Sequence, residues 1–445
     1  MRRQSRLRCI LYATAVFALG SFIVSLLLIN FLDQKYNFRK NDNNVPDFSS
    51  TAQQSSVLVV EPVEWPHLFI HIVNTRFQQE QGNLIALGRA RLLLFETFCL
   101  PSIIGQTLLK ERGYQVPPFL WIIKVDPNLV PELLSDLIAV VQPYPFIYVV
   151  ASNKNYGIGQ EVGGWRGGEE GTDVLSSTVY TGNMTWLKLA HDSRNSRGVL
   201  ETRLDADDGF NIKYLEGVEQ DASKKLLLSF NQTNLNKRRW MYWCSLYNIE
   251  WSPTLSKLSK PSEDILNGVF SIKKSPHHCI TAGMTVGVAL GMNENKIPRF
   301  IHDKLVEQLR YSEYQPNCGE GQTNITKCLK LIADPLMGAI RSRTVTSAGM
   351  RGVSTSQNDF QQRMATSTWK NSSIIAQILK DEFWINLEQV AAANRYFSEN
   401  MFRIASDNLK GQCTKGHSCK NNSKETLQKV VNDLNASDGV KTQVL

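Results

Sequence analysis

Gly198-Val199-Leu200-Glu201-Thr202-Arg203-Leu204-Asp205-Ala206-Asp207-Asp208-Gly209-Phe210 is the stretch on which the reading of this chain turns. Val199 and Leu200 open an apolar run that alternates into Glu201, Thr202, Arg203 and Leu204. It stops at the acidic turn from Asp205 to Gly209. The pattern predicts a short strand ended by a tight turn, with Gly209 as the breaker. Three carboxylates within four residues repel one another. A fold that keeps them together sets a divalent cation, a basic side chain or water against them.

Three readings of the turn are open. The plainest is a solvated Asp/Gly turn. A second is an EF-hand calcium loop with Asp205 and Asp207 at positions one and three and Glu216 at position twelve. That loop wants an oxygen ligand at position five and glycine at six, where this chain has Gly209 and Phe210. The third is the Asp-x-Asp element of nucleotide-sugar glycosyltransferases, in which a strand-end carboxylate pair holds Mg2+ or Mn2+ against a diphosphate. Mg2+ is commonly bound by one or two carboxylates plus substrate phosphates, which suits a short acidic turn.

Outward from the turn, the N-terminal flank reads as a parallel α/β sheet. Residues 68–73 (LFIHIV), 119–123 (FLWII) and 146–150 (FIYVV) are continuous apolar runs of the kind buried on both faces of such a sheet. Residues 84–109 and 131–141 between them carry helical stripes, and residues 177–191 read as a helix packed before the central strand. The first strand runs into Arg76, where open α/β sheets place nucleotides, so Arg76 is a candidate for donor phosphates. Residues 153–178 are glycine-rich, but no helix follows at dinucleotide spacing, so they read as a mobile insertion.

On the C-terminal side, residues 225–230 (KLLLSF) and 269–274 (VFSIKK) read as strands. Residues 238–247 and Trp251 form an aromatic patch, open to reading as a sugar-stacking surface or as rings buried against the sheet. Residues 341–351 (RSRTVTSAGMR) suit a phosphate-facing or acceptor-facing loop, or a solvated one. His277, His278 and Cys279 lack the spacing of a zinc site, though one histidine there, or His302, is available to complete the coordination of a metal at the turn. Residues 384–409 carry a helical stripe, and the polar chain after 410 reads as a loose tail.

The chain has 445 residues, 42% apolar and 20% charged, which is ordinary for a globular body. Its formal charge is +8, and Arg2, Arg3, Arg6 and Arg8 supply half of it, so the body is only mildly basic and nucleic-acid binding is not indicated. Residues 10–29 are apolar and uncharged, long enough to span a bilayer, with the arginines in front and no small-x-small cleavage site behind. The expected organisation is a cytoplasmic head and transmembrane anchor over 1–32, a flexible polar stem over 33–65, a catalytic domain over 66–360, and a helical extension with a tail over 361–445. The expected location is that of a single-pass type II membrane protein facing the lumen of the secretory pathway, such as the Golgi.

Eight cysteines are present, one of them in the apolar segment. Cys318 with Cys328 and Cys413 with Cys419 are spaced to close short loops, Cys244 is a candidate partner of Cys279, and Cys99 is the natural free thiol. Connectivity does not follow from spacing. Sequons begin at Asn183, Asn231, Asn324, Asn371, Asn421 and Asn435 and agree with a luminal body.

Four stretches, NTRF at 74–77, RLLLFETFCLPS at 91–102 with Gln106-Thr107, FLWIIKVD at 119–126 and TRLDADD at 202–208, resemble a rhamnosyltransferase family of GT-A-like glycosyltransferases. The resemblance spans roughly residues 68–210. It implies a nucleotide-binding, mostly parallel sheet flanked by helices. It also implies a Mn2+ or Mg2+ ion on Asp205 and Asp207 with Asp208 assisting. Arg76, Asp126 and Arg203 are the candidate nucleotide-sugar-binding residues. The implied activity moves a sugar, rhamnose by the family name, from a nucleotide-sugar donor to a hydroxyl of a glycan or protein acceptor. No catalytic base is identifiable. Two other functions remain open at this point, a sugar-phosphate phosphotransferase using the same turn and a non-catalytic carbohydrate-binding membrane glycoprotein.

Overall fold

The computed structural model describes residues 65–113, 116–152, 174–227, 240–254, 267–275, 279–290, 305–307, 309, 328–346 and 372–413. All belong to the unit Val63–Leu445. The expected anchor, residues 33–64 of the stem, residues 153–173 of the glycine-rich insertion and the tail beyond 413 lie outside the described residues; Trp65, expected in the stem, and Val174, expected in the mobile insertion, are instead buried in the core, and helix continues to Cys413. Among the described residues no helix is long and apolar enough to cross a membrane.

The chain opens with β1 (Phe69–Phe77), helix α1 beginning at Ile85–Leu94, α2 (Thr107–Arg112), β2 (Leu120–Val125), α3 (Pro131–Val141) and β3 (Ile147–Ala151). It continues with α4 (Met184–Asp192), β4 (Gly198–Asp205), β5 (Asp208–Phe210) and α5 (Tyr214–Ala222). Then come β6 (Trp240–Ser245), β7 (Tyr247–Ser252), β8 (Val269–Lys274), β9 (Met284–Val288), β10 (Leu329–Ile332), β11 (Ala339–Ser342), α6 (Ser372–Phe383) and α7 (Leu387–Cys413). The larger sheet has seven strands in the order β10-β6-β9-β4-β1-β2-β3. β9 runs antiparallel to both neighbours, and the other pairings are parallel. This mixed α/β, mostly parallel sheet fits the GT-A-like architecture expected from the sequence. A second sheet of four strands has the order β5-β11-β7-β8.

The apolar runs form strands because both faces of the large sheet are covered. Residues of β1 alternate between two cores. Phe69, Val73 and Phe77 pack with Trp121, Leu200 and the helical side chains Phe95, Leu133, Leu137 and Leu215. Ile70 and Ile72 pack with Leu120, Tyr148, Val199 and Leu187 of α4. In α3, Pro131 occupies the first turn, where its missing N–H is harmless, and Leu133, Leu137 and Val141 recur on the buried face. Asn183 caps α4, accepting from the backbone N–H of Thr185 at 2.9 Å and Trp186 at 3.3 Å.

α1 packs between two cores, with Ile85 and Arg89 left exposed. Leu92 and Phe95 face the large sheet, while Leu87, Leu94 and Phe98 face the second sheet together with α6 and α7. Pro101 stands inside this helix. The preceding π-helical turn, Phe95–Cys99, widens the backbone before the helix resumes as Leu100–Ile104. Proline has no N–H for the usual bond one turn back, and the wider turn accommodates the interruption.

The structure corrects two further sequence expectations. Of the strand expected over 225–230, the described part, 225–227, is not strand: Ser223–Leu227 is a π-helical extension of α5. Lys225 pairs with Asp221 at 2.8 Å and Leu226 buries itself in the core, so helical spacing prevails there over local β-propensity. The helix expected from 177 begins only at Met184, because Thr181 Oγ1 accepts from Val149 N and the incoming chain runs along the edge of β3. Of the two readings of the aromatic patch, burial holds for four of its rings. Trp240, Tyr242, Trp243 and Trp251 are buried to within 1% of full coverage, and β6 and β7 enter different sheets. Trp251 lies between Phe98 and Phe397, with ring centroids at 5.0 and 6.3 Å.

Cys244 is disulfide-bonded to Cys279, joining β6 to the segment before β9. Cys328 is also disulfide-bonded. Cys318 and Cys419, and the side chain of Cys413, lie outside the description. Cys99 is free and buried, as expected.

Candidate functional site

Strand order 3-2-1-4 means that the chain leaves β1 toward β2 on one side and returns to β4 on the other. Ligand crevices of open α/β sheets form at this switch point, outside the carboxyl ends of the strands. Arg76 of β1 is the register partner of Asp205 of β4 on one side and of Lys124 of β2 on the other. One layer below, Asn74 pairs in register with Arg203. Residues two apart on a strand share a face, so these side chains continue the face that carries Ile70 and Ile72. The face is apolar through the sheet and becomes charged at its carboxyl end. Asn74 Nδ2 donates to Glu201 Oε1 there, and Arg203 Nη2 lies 3.6 Å from Asp205 Oδ1.

β4 ends at Asp205, and the chain passes through Ala206 and Asp207 into β5 of the second sheet, which pairs with β11. The acidic turn is therefore the crossing point between sheets. Gly209 is required there, for a reason other than turn breaking. It lies within β5, and a Cβ would meet Phe98 O of the π turn at 2.6 Å. Ser102 Oγ completes the contact, accepting from Phe210 N at 3.1 Å while donating to Cys99 O at 2.8 Å.

The three aspartates have different surroundings. Asp205 is the most open, its side chain 32% exposed. Asp207 Oδ2 accepts from Ser342 Oγ at 3.2 Å and Thr346 Oγ1 at 3.4 Å. Burial raises the Asp207 carboxyl above its usual range and Asp205 adds to this, against lowering by Arg91, its own backbone N–H and Ser342. Asp208 is buried, accepts from Ser342 N at 3.1 Å, and has Arg341 Nε at 3.7 Å. Burial and then Asp207 push it well above the ordinary range, although Arg341 pulls it down. Of the loop at 341–351, the described part, 341–346, thus wraps the acidic turn. Arg343 is turned to Glu250 at 2.6 Å.

Arg91 enters from α1. Its Nη1 donates to Gln78 Oε1 and, at 2.6 Å, to Gln81 Oε1, and its Nη2 donates to Thr346 O at 3.0 Å. Burial lowers its pKa, while Asp207 and then Asp205 raise it, so its charge faces the acidic turn. Gln78 and Glu80, just after β1, have φ of 52° and 57°, a left-handed conformation worth about 1–3 kcal/mol of strain each in non-glycine residues. Such strain persists only where contacts over-determine the loop. Gln78 meets this condition, since its Nε2 also donates to Gln81 O and Leu84 O, both at 3.1 Å. Cys99 lies behind the turn, where burial and then Asp208 push its thiol well up and disfavour the thiolate.

Asp126, buried at the end of β2, directs Oδ1 to Asn128 N at 2.8 Å and so closes the turn leaving the strand. Asn74, Arg91, Lys124 and Thr346 lie in stretches that the sequence singled out, but none was named as a site residue. Lys124 and Asn74 are polar residues at the carboxyl ends of otherwise apolar strands. The partners of Arg91 and Thr346 lie far away in sequence, so their pairing had no local signal.

Among the described residues no group of three or more His, Cys, Asp and Glu side chains is arranged to hold a metal ion. His277, His278 and His302 lie outside the described residues, and Cys279 is committed to its disulfide. What the turn offers is an all-oxygen pair, Asp205 and Asp207. That donor set fits a hard cation whose remaining ligands are phosphate and water.

No family model matches the chain, and no curated protein matches it. Two crystal structures of S. aureus TarS residues 1–349, one in complex with UDP, align over 84% of this chain and 93% of theirs at 9% identity. Their TM-score is 0.25, which does not establish a shared fold.

Proposed function

We propose that the protein is a nucleotide-sugar-dependent glycosyltransferase that moves a sugar to a hydroxyl of a glycan or protein acceptor. One observation carries this reading. The row Lys124–Arg76–Asp205, with Arg203 beside it, lies across the topological switch point of a mostly parallel sheet. Cations and carboxylates together at that place suit a diphosphate accompanied by a divalent cation.

In this reading Asp205 and Asp207 hold Mn2+ or Mg2+ jointly with the donor phosphates. Asp208, turned to Ser342 N and Arg341, anchors the turn. The cation, when bound, neutralises the diphosphate as it leaves. Arg76, Lys124 and Arg203 place further positive charge where negative charge grows. The bond from the anomeric carbon to the diphosphate oxygen breaks, one to the acceptor oxygen forms, and the acceptor's hydroxyl proton leaves, so the products are the glycoside, the nucleoside diphosphate and a proton. Rhamnose as the transferred sugar is proposed on the family resemblance alone.

The proposed setting is the lumen of the secretory pathway, with residues 10–29 as a type II anchor. The Cys244–Cys279 disulfide supports an oxidising compartment. The carbohydrate-binding alternative loses most of its stacking surface, because Trp240, Tyr242, Trp243 and Trp251 are core.

The test is donor hydrolysis. The full chain in detergent is given a panel of nucleotide sugars with Mn2+ or Mg2+, and nucleoside diphosphate release is measured. Metal-dependent release that Asp205→Ala/Asp207→Ala abolishes is expected. Folded protein that neither releases nor binds nucleoside diphosphate would overturn the reading.

A further inference from the structure

We propose that Arg91 is a positioning residue that ties the two loops of the donor site together and so holds Asp207 ready for the cation. The inference rests on the glycosyltransferase reading above. Arg91 lies in a helix rather than at a strand end, is half-buried, and donates to three acceptors. Two of these, Gln78 Oε1 and Gln81 Oε1, belong to the left-handed loop that follows β1 and carries Arg76 at its base. The third, Thr346 O, belongs to the segment after β11. Thr346 passes the constraint on, since its Oγ1 donates to Asp207 Oδ2 at 3.4 Å. Its own rotamer is held by Thr344 Oγ1 at 2.7 Å. Ser342, four residues earlier on β11, grips Asp207 by its hydroxyl and Asp208 by its N–H. One guanidinium therefore joins the loop of the phosphate-facing cation to the loop that orients the carboxylate.

The planar fork matters. Arginine presents fixed donors to several acceptors at once, whereas lysine is a point charge on a flexible stem. A competing role exists for the same residue. As a plain counter-ion to Asp205 and Asp207, Arg91 would oppose an incoming cation, and its removal would tighten cation binding. As a positioning residue, its removal weakens it. The two roles predict opposite signs.

The experiment uses the full chain in detergent, wild type and Arg91→Lys, Arg91→Met and Thr346→Val. Mn2+ affinity is measured by electron paramagnetic resonance in the presence of whichever of UDP, GDP and TDP the wild type binds. Binding of the same nucleotide is measured separately in EDTA. Each variant is used at a temperature where circular dichroism shows it folded. Arg91→Lys keeps the charge and loses the fork, so it is expected to weaken Mn2+ binding about 10–100-fold, the usual effect of removing a partner that orients a metal ligand. Nucleotide binding in EDTA should weaken by less than Mn2+ binding, since without the cation Arg91 bears on the nucleotide only through the loop that follows Arg76. Thr346→Val should weaken Mn2+ similarly, and the double variant should add little to either. Unchanged or tighter Mn2+ binding by Arg91→Lys, or full additivity with Thr346→Val, overturns the inference while leaving the glycosyltransferase reading intact. A folded wild type that binds neither Mn2+ nor nucleotide overturns both.

Discussion

Gly209→Ala tests the claim that close packing, not turn geometry, explains the glycine in the acidic stretch. The new methyl would lie 2.6 Å from Phe98 O and 3.0 Å from both Ile340 Cγ2 and Ser102 Oγ. Ordinary contact begins at 3.4 Å, so the carbonyl must retreat by roughly 0.8 Å. It has little freedom to do so. Phe98 is in the π turn, and Ser102 Oγ is already bonded to Cys99 O and Phe210 N. Overpacking of this kind costs about 1–3 kcal/mol. At about 2–4 °C per kcal/mol, the melting temperature should fall by roughly 2–12 °C. Thermal denaturation followed by circular dichroism measures this directly. The displacement also moves β5, so Mn2+-dependent nucleotide binding should weaken in the folded variant. A Gly209→Ala protein that melts with or above the wild type refutes the packing argument.

Gly217→Ala is the matching control: it lies inside α5 with only Met337 Cε at 3.5 Å, so alanine should stabilise by about 0.5–1 kcal/mol in the same melt. Asp207→Asn should raise the melting temperature at pH 7 and abolish metal-dependent nucleotide binding. Its folded pKa is raised, so the ionised form destabilises above that value and the penalty fades as pH falls through it. Burial pushes Glu219 up, but His71 and Arg112 outweigh it and leave the carboxyl low. Its contribution is therefore complete above the unfolded value of about 4.3 and is lost as pH falls through the lower folded value. Glu219→Gln should flatten that acid limb in a pH series of denaturant titrations and, at pH 7, lower stability by about 1–3 kcal/mol. Cys244→Ser/Cys279→Ser opens a loop with a separation of 35 residues and should lower stability by about 3–4 kcal/mol in guanidinium unfolding.

β1 to β4 were legible in the chain because strands buried on both faces leave continuous apolar runs, and the acidic turn was legible because it interrupts the last of them. The Cys244–Cys279 pairing was visible as a candidate. The character of residues 225–227 was not, because Lys225 and Leu226 read as strand until Asp221 and the core below are in place. The aromatic segment was ambiguous for a similar reason, since a sequence of rings looks alike whether it is exposed or enclosed, and only two sheets meeting at Leu246 enclose it. Sequence alone determined the elements whose signal is local: apolar runs, helical stripes, the carboxylates of the turn and the cations at strand ends. Tertiary structure alone decided which cation faces which carboxylate. Arg91 and Thr346 are 255 positions apart, as are many other pairs with no contact, and no periodicity records the choice. That choice is made by register between strands and by helices packed across them, interactions in which each residue's partner is fixed by the whole fold.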